Sequence, residues 1–101
     1  MTVPHPDNAL LEARAVVLAW VQRLQPGAHA TNEELASTFC SLLPSDVDLE
    51  LRTTYNPSAL VHEARWYNGG REVEDFPKPF CAESDADARI LACAALVTLP
   101  D

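Results

Sequence analysis

The run VDLELRTTY at residues 47–55 sets the architecture of this 101-residue chain. Apolar or uncharged side chains alternate in it with charged or polar ones, so the hydrophobic pattern repeats every two residues. A repeat of two residues is typical of a β-strand with one buried face and one face in water, as in an antiparallel sheet. We therefore expect a strand over residues 46–55, with a sheet built around it.

Two more strands are predicted after this run, at residues 59–67 and 71–76. Asn68-Gly69 lies between them, and both residues tolerate the positive φ angles of a two-residue hairpin loop. The three strands then form an antiparallel meander. With this loop, Arg65 lies opposite Glu72 as a cross-strand ion pair.

The same register divides the side chains between the two faces of the sheet. It places His62 beside Asp75 and Glu63 opposite Glu74, with Tyr67 and Phe76 as aromatic anchors on the outer face. The predicted inner face carries Leu60, His62, Ala64, Trp66 and Val73.

Segments with helical periodicity precede and follow the predicted strands in the chain. They predict helices at residues 8–25, 32–43 and 85–99. Thr31 with Glu34 forms a capping box for the second helix, and Ser84 caps the third. The third helix is apolar around most of its circumference. It therefore lies between the sheet and the first helix, or it forms an oligomer contact. The prediction is one domain over residues 1–101 with an α+β fold of two layers, α-α-β-β-β-α, in which a three-stranded antiparallel meander packs on helices.

The charge balance excludes several classes of partner. Fifteen acidic residues against seven basic ones give a net charge of −8, which disfavours direct binding to nucleic acid and to an anionic membrane surface. The longest apolar run, residues 90–99, is about half of the ~20 residues that a membrane-spanning helix needs. Residues 1–8 lack the basic segment and the apolar run that are typical of a secretory signal. We expect a cytoplasmic protein.

The cysteines and histidines do not form a recognisable reactive or metal-binding motif. The three cysteines include no C-x-x-C pair and adjoin apolar residues, so we expect buried free thiols: Cys40, Cys81 and Cys93. The three histidines lack metal-ligand spacing, and no metal or cofactor is predicted: His5, His29 and His62.

One catalytic arrangement is conceivable, a thiol–imidazole–carboxylate set of Cys81, His62 and Asp75. No basic residue adjoins Cys81 to lower its pKa, and no glycine-rich turn offers an oxyanion hole. We therefore predict no catalytic residue and no enzyme, and retain a cysteine-dependent activity only as a minor alternative.

The acidic residues concentrate in the second half of the chain. Residues 45–101 hold eleven acids and five bases, which account for −6 of the net charge. The predicted outer face carries five acids against Arg52 and Arg65, for a net charge of −3. We predict that this face binds a partner protein with a basic surface through Asp48, Glu50, Glu63, Tyr67, Glu72 and Glu74.

The second half also carries a resemblance. A hairpin over residues 59–76, with ARWYNGG at 64–70, precedes the alanine-rich run ARILACAAL at 88–96. This resembles the end of small phage and prophage proteins of the "ABA sandwich" type, in which a Trp-bearing strand precedes an alanine-rich helix. Such a sandwich covers both faces of its sheet, whereas the alternation in residues 47–55 predicts one face in water.

Small acidic phage proteins of this size include anti-CRISPR-like inhibitors. The resemblance therefore implies a stoichiometric inhibitor of a host defence complex, acting in the cytoplasm of a bacterial host. Its acidic face would dock on a nucleic-acid-binding surface. The alternative is a homodimeric structural or regulatory module that associates through the apolar third helix.

Overall fold

The computed structural model describes residues 6–27, 31–44, 47–76 and 78–99. It has an α+β fold with three helices and a four-stranded antiparallel sheet in the described residues, as the sequence predicts apart from the fourth strand. The predicted strand start at residue 46 lies outside the described residues. In chain order the elements are α1 (Pro6–Leu24), α2 (Asn32–Ser41), β1 (Leu49–Asn56), β2 (Val61–Asn68), β3 (Arg71–Glu72), β4 (Phe80–Ala82) and α3 (Asp85–Thr98).

Helix α3 occupies the centre of the molecule. It packs on α1 and α2 on one side and on β1, β2 and β4 on the other. In its apolar stripe, Ile90 and Cys93 are fully buried, and Val97 is half-buried near the end of the helix. Of the two predicted positions for this helix, the structure therefore shows the one between the sheet and α1. The apolar stripe that the dimer alternative requires is used within the chain's own core.

Trp66 connects the sheet to this helix. Its ring is buried beside Phe39 of α2, with 6.5 Å between the ring centroids. Its indole Nε1–H donates a hydrogen bond of 2.8 Å to the carbonyl oxygen of Ala92 in α3. A buried indole N–H without an acceptor would destabilise the fold, because its desolvation would not be compensated. This bond therefore allows the largest core side chain to be fully buried.

Both predicted helix caps are present. The Thr31 hydroxyl accepts a hydrogen bond of 3.3 Å from the Glu34 backbone N–H, and the Ser84 hydroxyl accepts one of 3.1 Å from Asp87. Each cap satisfies one of the N–H groups that the first turn of a helix leaves without a partner.

The hairpin turn differs from the prediction by one residue. Asn68 pairs with Arg71, so the two-residue loop is Gly69-Gly70 rather than Asn68-Gly69. Both loop glycines have positive φ angles, 61° and 86°. A turn of type I′ needs positive φ at both central positions, and two glycines meet this need without the steric cost of a Cβ atom. Each residue of β2 pairs with a residue two positions further along the chain than predicted. Because this shift is an even number, every side chain stays on its predicted face.

The predicted third strand is too long. β3 ends at Glu72, and the chain turns at residues 74–75. Phe76, predicted as an outward anchor, is instead half-buried and packs edge-on against Phe80, with 5.4 Å between centroids. The edge position beside residues 62–64 of β2 goes to β4, a strand that the sequence did not predict.

The inner face of the sheet agrees with the prediction in its centre and differs at its end. Ala64 and Trp66 are buried, while His62 and Val73 are half-buried. Leu60, predicted on the same face, is 69% exposed and lies in the turn before β2 with a φ angle of 57°. The run after Asn56 thus forms a longer turn than predicted, and the strand period starts only at Val61.

Candidate protein-binding surface

One face of the sheet carries no helix of the described residues. Alternation along β1 and β2 directs one set of side chains to this side, and the β2–β3 pairing adds Glu72. We call this set the open face. The name leaves out Asn56 and Val61 at the far end of the strands and covers Glu50, Arg52, Thr54, Glu63, Arg65, Tyr67 and Glu72.

Two arginines lie opposite each other in the centre of the open face. Arg52 pairs with Arg65 across β1 and β2, an arrangement that repels unless carboxylates neutralise it. Arg52 Nη2 lies 2.9 Å from Glu50 Oε2. Arg65 bridges two carboxylates, with Nε 3.0 Å from Glu72 and Nη1 3.3 Å from Glu63. The predicted Arg65–Glu72 ion pair is therefore present, although the two residues are diagonal neighbours rather than direct partners.

Tyr67 is held by one of these arginines. The Arg52 guanidinium carbon lies 4.4 Å from the centroid of the Tyr67 ring, which is a cation–π contact. The hydrogen bond and the charge of Glu50 raise the pKa of Arg52 above its ordinary value. An aromatic ring in a fixed position among charged groups can enter a partner's pocket at a low entropic cost.

The structure brings together four of the six predicted binding residues: Glu50, Glu63, Tyr67 and Glu72. Asp48 and Glu74 are exposed but lie outside the strands. The predicted Glu63–Glu74 pair is wrong, because Glu63 pairs with Thr54 on β1 and with Cys81 on β4. The open face has three carboxylates and two guanidinium groups, for a net charge of −1, so it is less acidic than the predicted −3.

Three further acids lie near the hairpin end of the sheet. Asp48 precedes β1, and its carbonyl oxygen accepts a hydrogen bond of 3.1 Å from Gly69 N–H. Glu74 and Asp75 line a shallow depression there together with Arg71. We call Asp48, Glu74 and Asp75 the acidic tip. It adjoins the open face, so the two together form a surface of mixed charge with an acidic end.

The conceivable catalytic set does not assemble. His62 pairs with Tyr55 and Ala82, and its ring lies 5.0 Å from the Tyr55 ring. Cys81 pairs with Glu63, one residue further along β2, and not with His62. Asp75 lies at the hairpin end, beyond roughly 20 Å of strand from His62. The predicted proximity of His62 and Asp75 is wrong, because it rested on the displaced register.

The three cysteines have different environments. Cys81 is exposed, contrary to the prediction of a buried thiol, because β4 is an edge strand. Cys93 is buried and Cys40 half-buried, and their thiols interact between α2 and α3. A hydrogen bond from Cys93 lowers the pKa of Cys40 below its ordinary value. The same bond, together with burial, raises the pKa of Cys93.

A groove that the sequence did not reveal runs between α1, β4 and α3. It has two adjoining depressions of about 270 and 460 Å³, both lined by Cys81 and Leu91. Its other walls are mainly apolar, with acidic groups from Glu12, Glu83 and Asp87. It brings α1 against β4 and α3, which lie far from α1 in the chain, so no local sequence pattern could have predicted it.

Asn32 joins the three helices through its side-chain amide. Its Oδ1 accepts a hydrogen bond of 2.8 Å from Arg14 Nε in α1, and its Nδ2 donates one of 2.9 Å to Asp87 Oδ1 in α3. These bonds orient the starts of α2 and α3 relative to α1. The sequence did not predict this role, since Asn32 lies inside the capping box of Thr31 and Glu34 and no local pattern links it to the other helices.

Searches for other kinds of site and for relatives found nothing further. In the described ranges, no three His, Cys, Asp or Glu side chains are grouped so that they could hold a metal ion. His5 and His29, for which the sequence predicts no metal-ligand role, lie outside these ranges. None of the described helices is long and apolar enough to cross a membrane. No family model, curated protein or solved structure matches the chain.

Proposed function

We propose that the protein acts by stoichiometric binding to another protein, with its open face docked on a basic surface of that partner. The observation that carries this proposal is the open face itself, a sheet surface that no described helix covers. It displays Tyr67 and Arg52 within a group of carboxylates. Tyrosine and arginine are among the residue types that contribute most binding energy in protein interfaces.

The charge of the chain supports a basic partner. The net charge of −8 and the acidic tip attract a positive surface over several ångströms and speed its association. The same charge repels the phosphates of nucleic acid. The surface that fits is therefore one that a second protein uses to hold nucleic acid, and the bound chain would exclude that nucleic acid by competition.

The partner class that we propose is a bacterial defence complex, which the chain would inhibit in the host cytoplasm in the manner of an anti-CRISPR protein. Support comes from the acidic composition and from the resemblance of residues 59–96 to small phage proteins. The proposed class of partner rests on the acidic composition and on this resemblance together.

The proposal can be tested with a charge-reversed variant of the acidic end of the surface. We expect Glu72→Lys combined with Glu74→Lys to abolish capture of the partner from a bacterial lysate, because both changes repel a basic surface. The matched control is Glu12→Lys with Glu34→Lys, which makes the same change in net charge on exposed positions of the helices.

A second measurement tests competition directly. Added single- or double-stranded nucleic acid should release the captured partner, and raised salt should weaken the complex. The proposal is contradicted if the Glu72 and Glu74 variant captures the same partner as the control variant, with both variants folded by circular dichroism.

A further inference from the structure

The two edges of the sheet are built differently. One edge consists of two short strands, β3 and β4, separated by the segment around residues 73–79. The other edge is β1, an uninterrupted strand of eight residues without proline or lysine. No other strand in the described part of the chain pairs with the outer side of β1. Long unpaired edges are usually blocked in native proteins, because they offer a template for another strand.

Two backbone hydrogen bonds show which residues of β1 face this free edge. Gly69 N–H donates to the carbonyl oxygen of Asp48, so Asp48 faces β2. Val73 N–H donates to the carbonyl oxygen of Trp66, so Trp66 faces β3 and its partner Leu51 faces away from β2. Alternation then directs the N–H and C=O groups of Leu49, Leu51, Thr53 and Tyr55 to the free edge.

We propose that the free edge of β1 binds a second copy of this chain, as an antiparallel strand pair with its two-fold axis at Leu51. Leu51 then exchanges both backbone hydrogen bonds with Leu51 of the second copy. Leu49 does the same with Thr53 of the second copy, and Thr53 with its Leu49. Two four-stranded sheets become one continuous sheet. This proposal does not depend on the proposed function, since it needs no other protein.

The charges of β1 select this register. With the axis at Leu51, Glu50 lies opposite Arg52 of the second copy, and Arg52 opposite its Glu50. These are non-hydrogen-bonded pairs, in which side chains approach most closely. An axis at Glu50 would place Glu50 opposite Glu50, although Arg52 would then face Asp48. An axis at Arg52 would place Arg52 opposite Arg52, and an axis at Thr53 would pair neither charge with an opposite one. Only the axis at Leu51 gives two opposite-charge pairs of Glu50 and Arg52 without a like-charge pair. Glu50 and Arg52 are 60% and 50% exposed, so both are available to a second copy.

The exposed apolar side chains next to the edge agree with the same axis. Tyr55 is 53% exposed although alternation along β1 assigns it to the inner face, and Val47, two residues before β1, is 38% exposed. In the proposed pair, Val47 lies opposite Tyr55 of the second copy, on both sides of the axis. Two apolar groups that face water in the single chain would cover each other in the dimer.

The first test measures mass against concentration with charge variants. We expect the wild-type mass to rise towards twice 11.1 kDa in sedimentation equilibrium. Glu50→Arg or Arg52→Glu should weaken the dimer by about thirtyfold, because each converts both attractive pairs into repulsive ones. Mixing these two variants, or combining both changes in one chain, should restore it. Glu33→Arg on α2 is the control that adds the same charge away from the edge.

Backbone amide exchange provides an independent readout. The amides of Glu50, Arg52 and Thr54 face β2 and should be protected at all concentrations. Those of Leu49, Leu51 and Thr53 should become protected only as the dimer forms. This alternation would not result from association through a helix.

Three results would overturn the proposal. The first is a wild-type chain that stays monomeric at millimolar concentration. The second is a dimer that both single charge variants leave unchanged. The third is a chain whose β1 edge amides become protected only when an extended peptide of another protein is added.

Discussion

The two faces of β2 differ more than any other pair of neighbouring surfaces in the molecule. On the inner face, Ala64 and Trp66 are 0% and 1% exposed and pack against α3. On the outer face, Glu63 and Arg65 form an ion pair and Tyr67 contacts Arg52, all of them side chains of the sheet. Successive residues of one strand therefore lie alternately in the core and on the surface that we propose for binding. Substitutions on either face should affect one property and spare the other.

The cause of this separation is the difference in solvation. A buried indole without an acceptor keeps the full cost of its desolvation, so the Trp66–Ala92 hydrogen bond matters to folding. Ion pairs between exposed groups lose most of their attraction to water and to salt. We expect the outer face to contribute little to stability although it carries most of the charges of β2.

The largest expected effect tests this contrast directly, with Trp66→Ala and Tyr67→Ala as a matched pair. Trp66→Ala should lower the free energy of unfolding by about 3–5 kcal/mol, because it leaves a cavity under α3. Tyr67→Ala should lower it by less than about 1 kcal/mol, because it removes an exposed ring and its contact with Arg52. Urea titration followed by circular dichroism measures both. Equal losses would contradict the separation of the two faces.

An intermediate effect is expected for the pH dependence of stability, through Asp85 of α3. Arg89 Nε donates a hydrogen bond of 2.8 Å to Asp85, and Arg89 Nη2 donates one of 3.4 Å to the Thr53 hydroxyl on β1. Burial alone would raise the pKa of Asp85, but hydrogen bonding with Thr53 and the charge of Arg89 outweigh it and lower the pKa. The folded state therefore favours the carboxylate more than the unfolded chain does.

The stabilisation from Asp85 is consequently present above the pKa of the unfolded chain, at about 3.9, and is lost as the pH falls through the lower folded pKa. We expect Asp85→Asn to lower the unfolding free energy by less than about 1 kcal/mol at pH 6, since the carboxyl is partly exposed. The difference from the wild type should shrink at pH 3. A difference that stays constant between these pH values would show that the charge is not responsible.

The smallest expected effect is on the outer face. Arg65→Met removes the two ion pairs with Glu63 and Glu72 and should change the unfolding free energy by only about 0.5 kcal/mol at low salt. At 1 M salt the difference from the wild type should nearly vanish, because screening removes the attraction. Unfolding titrations at both salt concentrations give the answer. A loss of about 2 kcal/mol or more would mean that these pairs support the fold.

The helices and the first two strands could be predicted because their signals are local. The Thr31 and Ser84 caps, the alternation in β1 and the burial of Trp66 all follow from spacing within one segment. The misplaced turn had two adequate loop sequences one residue apart, and Gly69-Gly70 meets the φ requirement better than Asn68-Gly69. β4 was missed because three residues after Pro79 are too few to show a period.

The candidate surface was predictable in part for the same reason. Glu50, Glu63, Tyr67 and Glu72 come together because alternation assigns them to one face in either register. Glu74 was misplaced because β3 ends before it. The groove at Cys81 and the Asn32 hydrogen bonds join residues far apart in the chain, and no local pattern contains their distances.

The amino-acid order alone was enough to predict the α+β class, the order of the main elements, the inner position of Trp66 and the solvent-exposed face of β1. These features depend on periodicity and on caps, which act over a few residues. The packing of the whole chain was needed to split the second sheet edge into β3 and β4, to neutralise Arg52 and Arg65, and to leave the outer edge of β1 unpaired among the described residues. Such outcomes depend on which segments meet in space, and that follows from the burial of the common core.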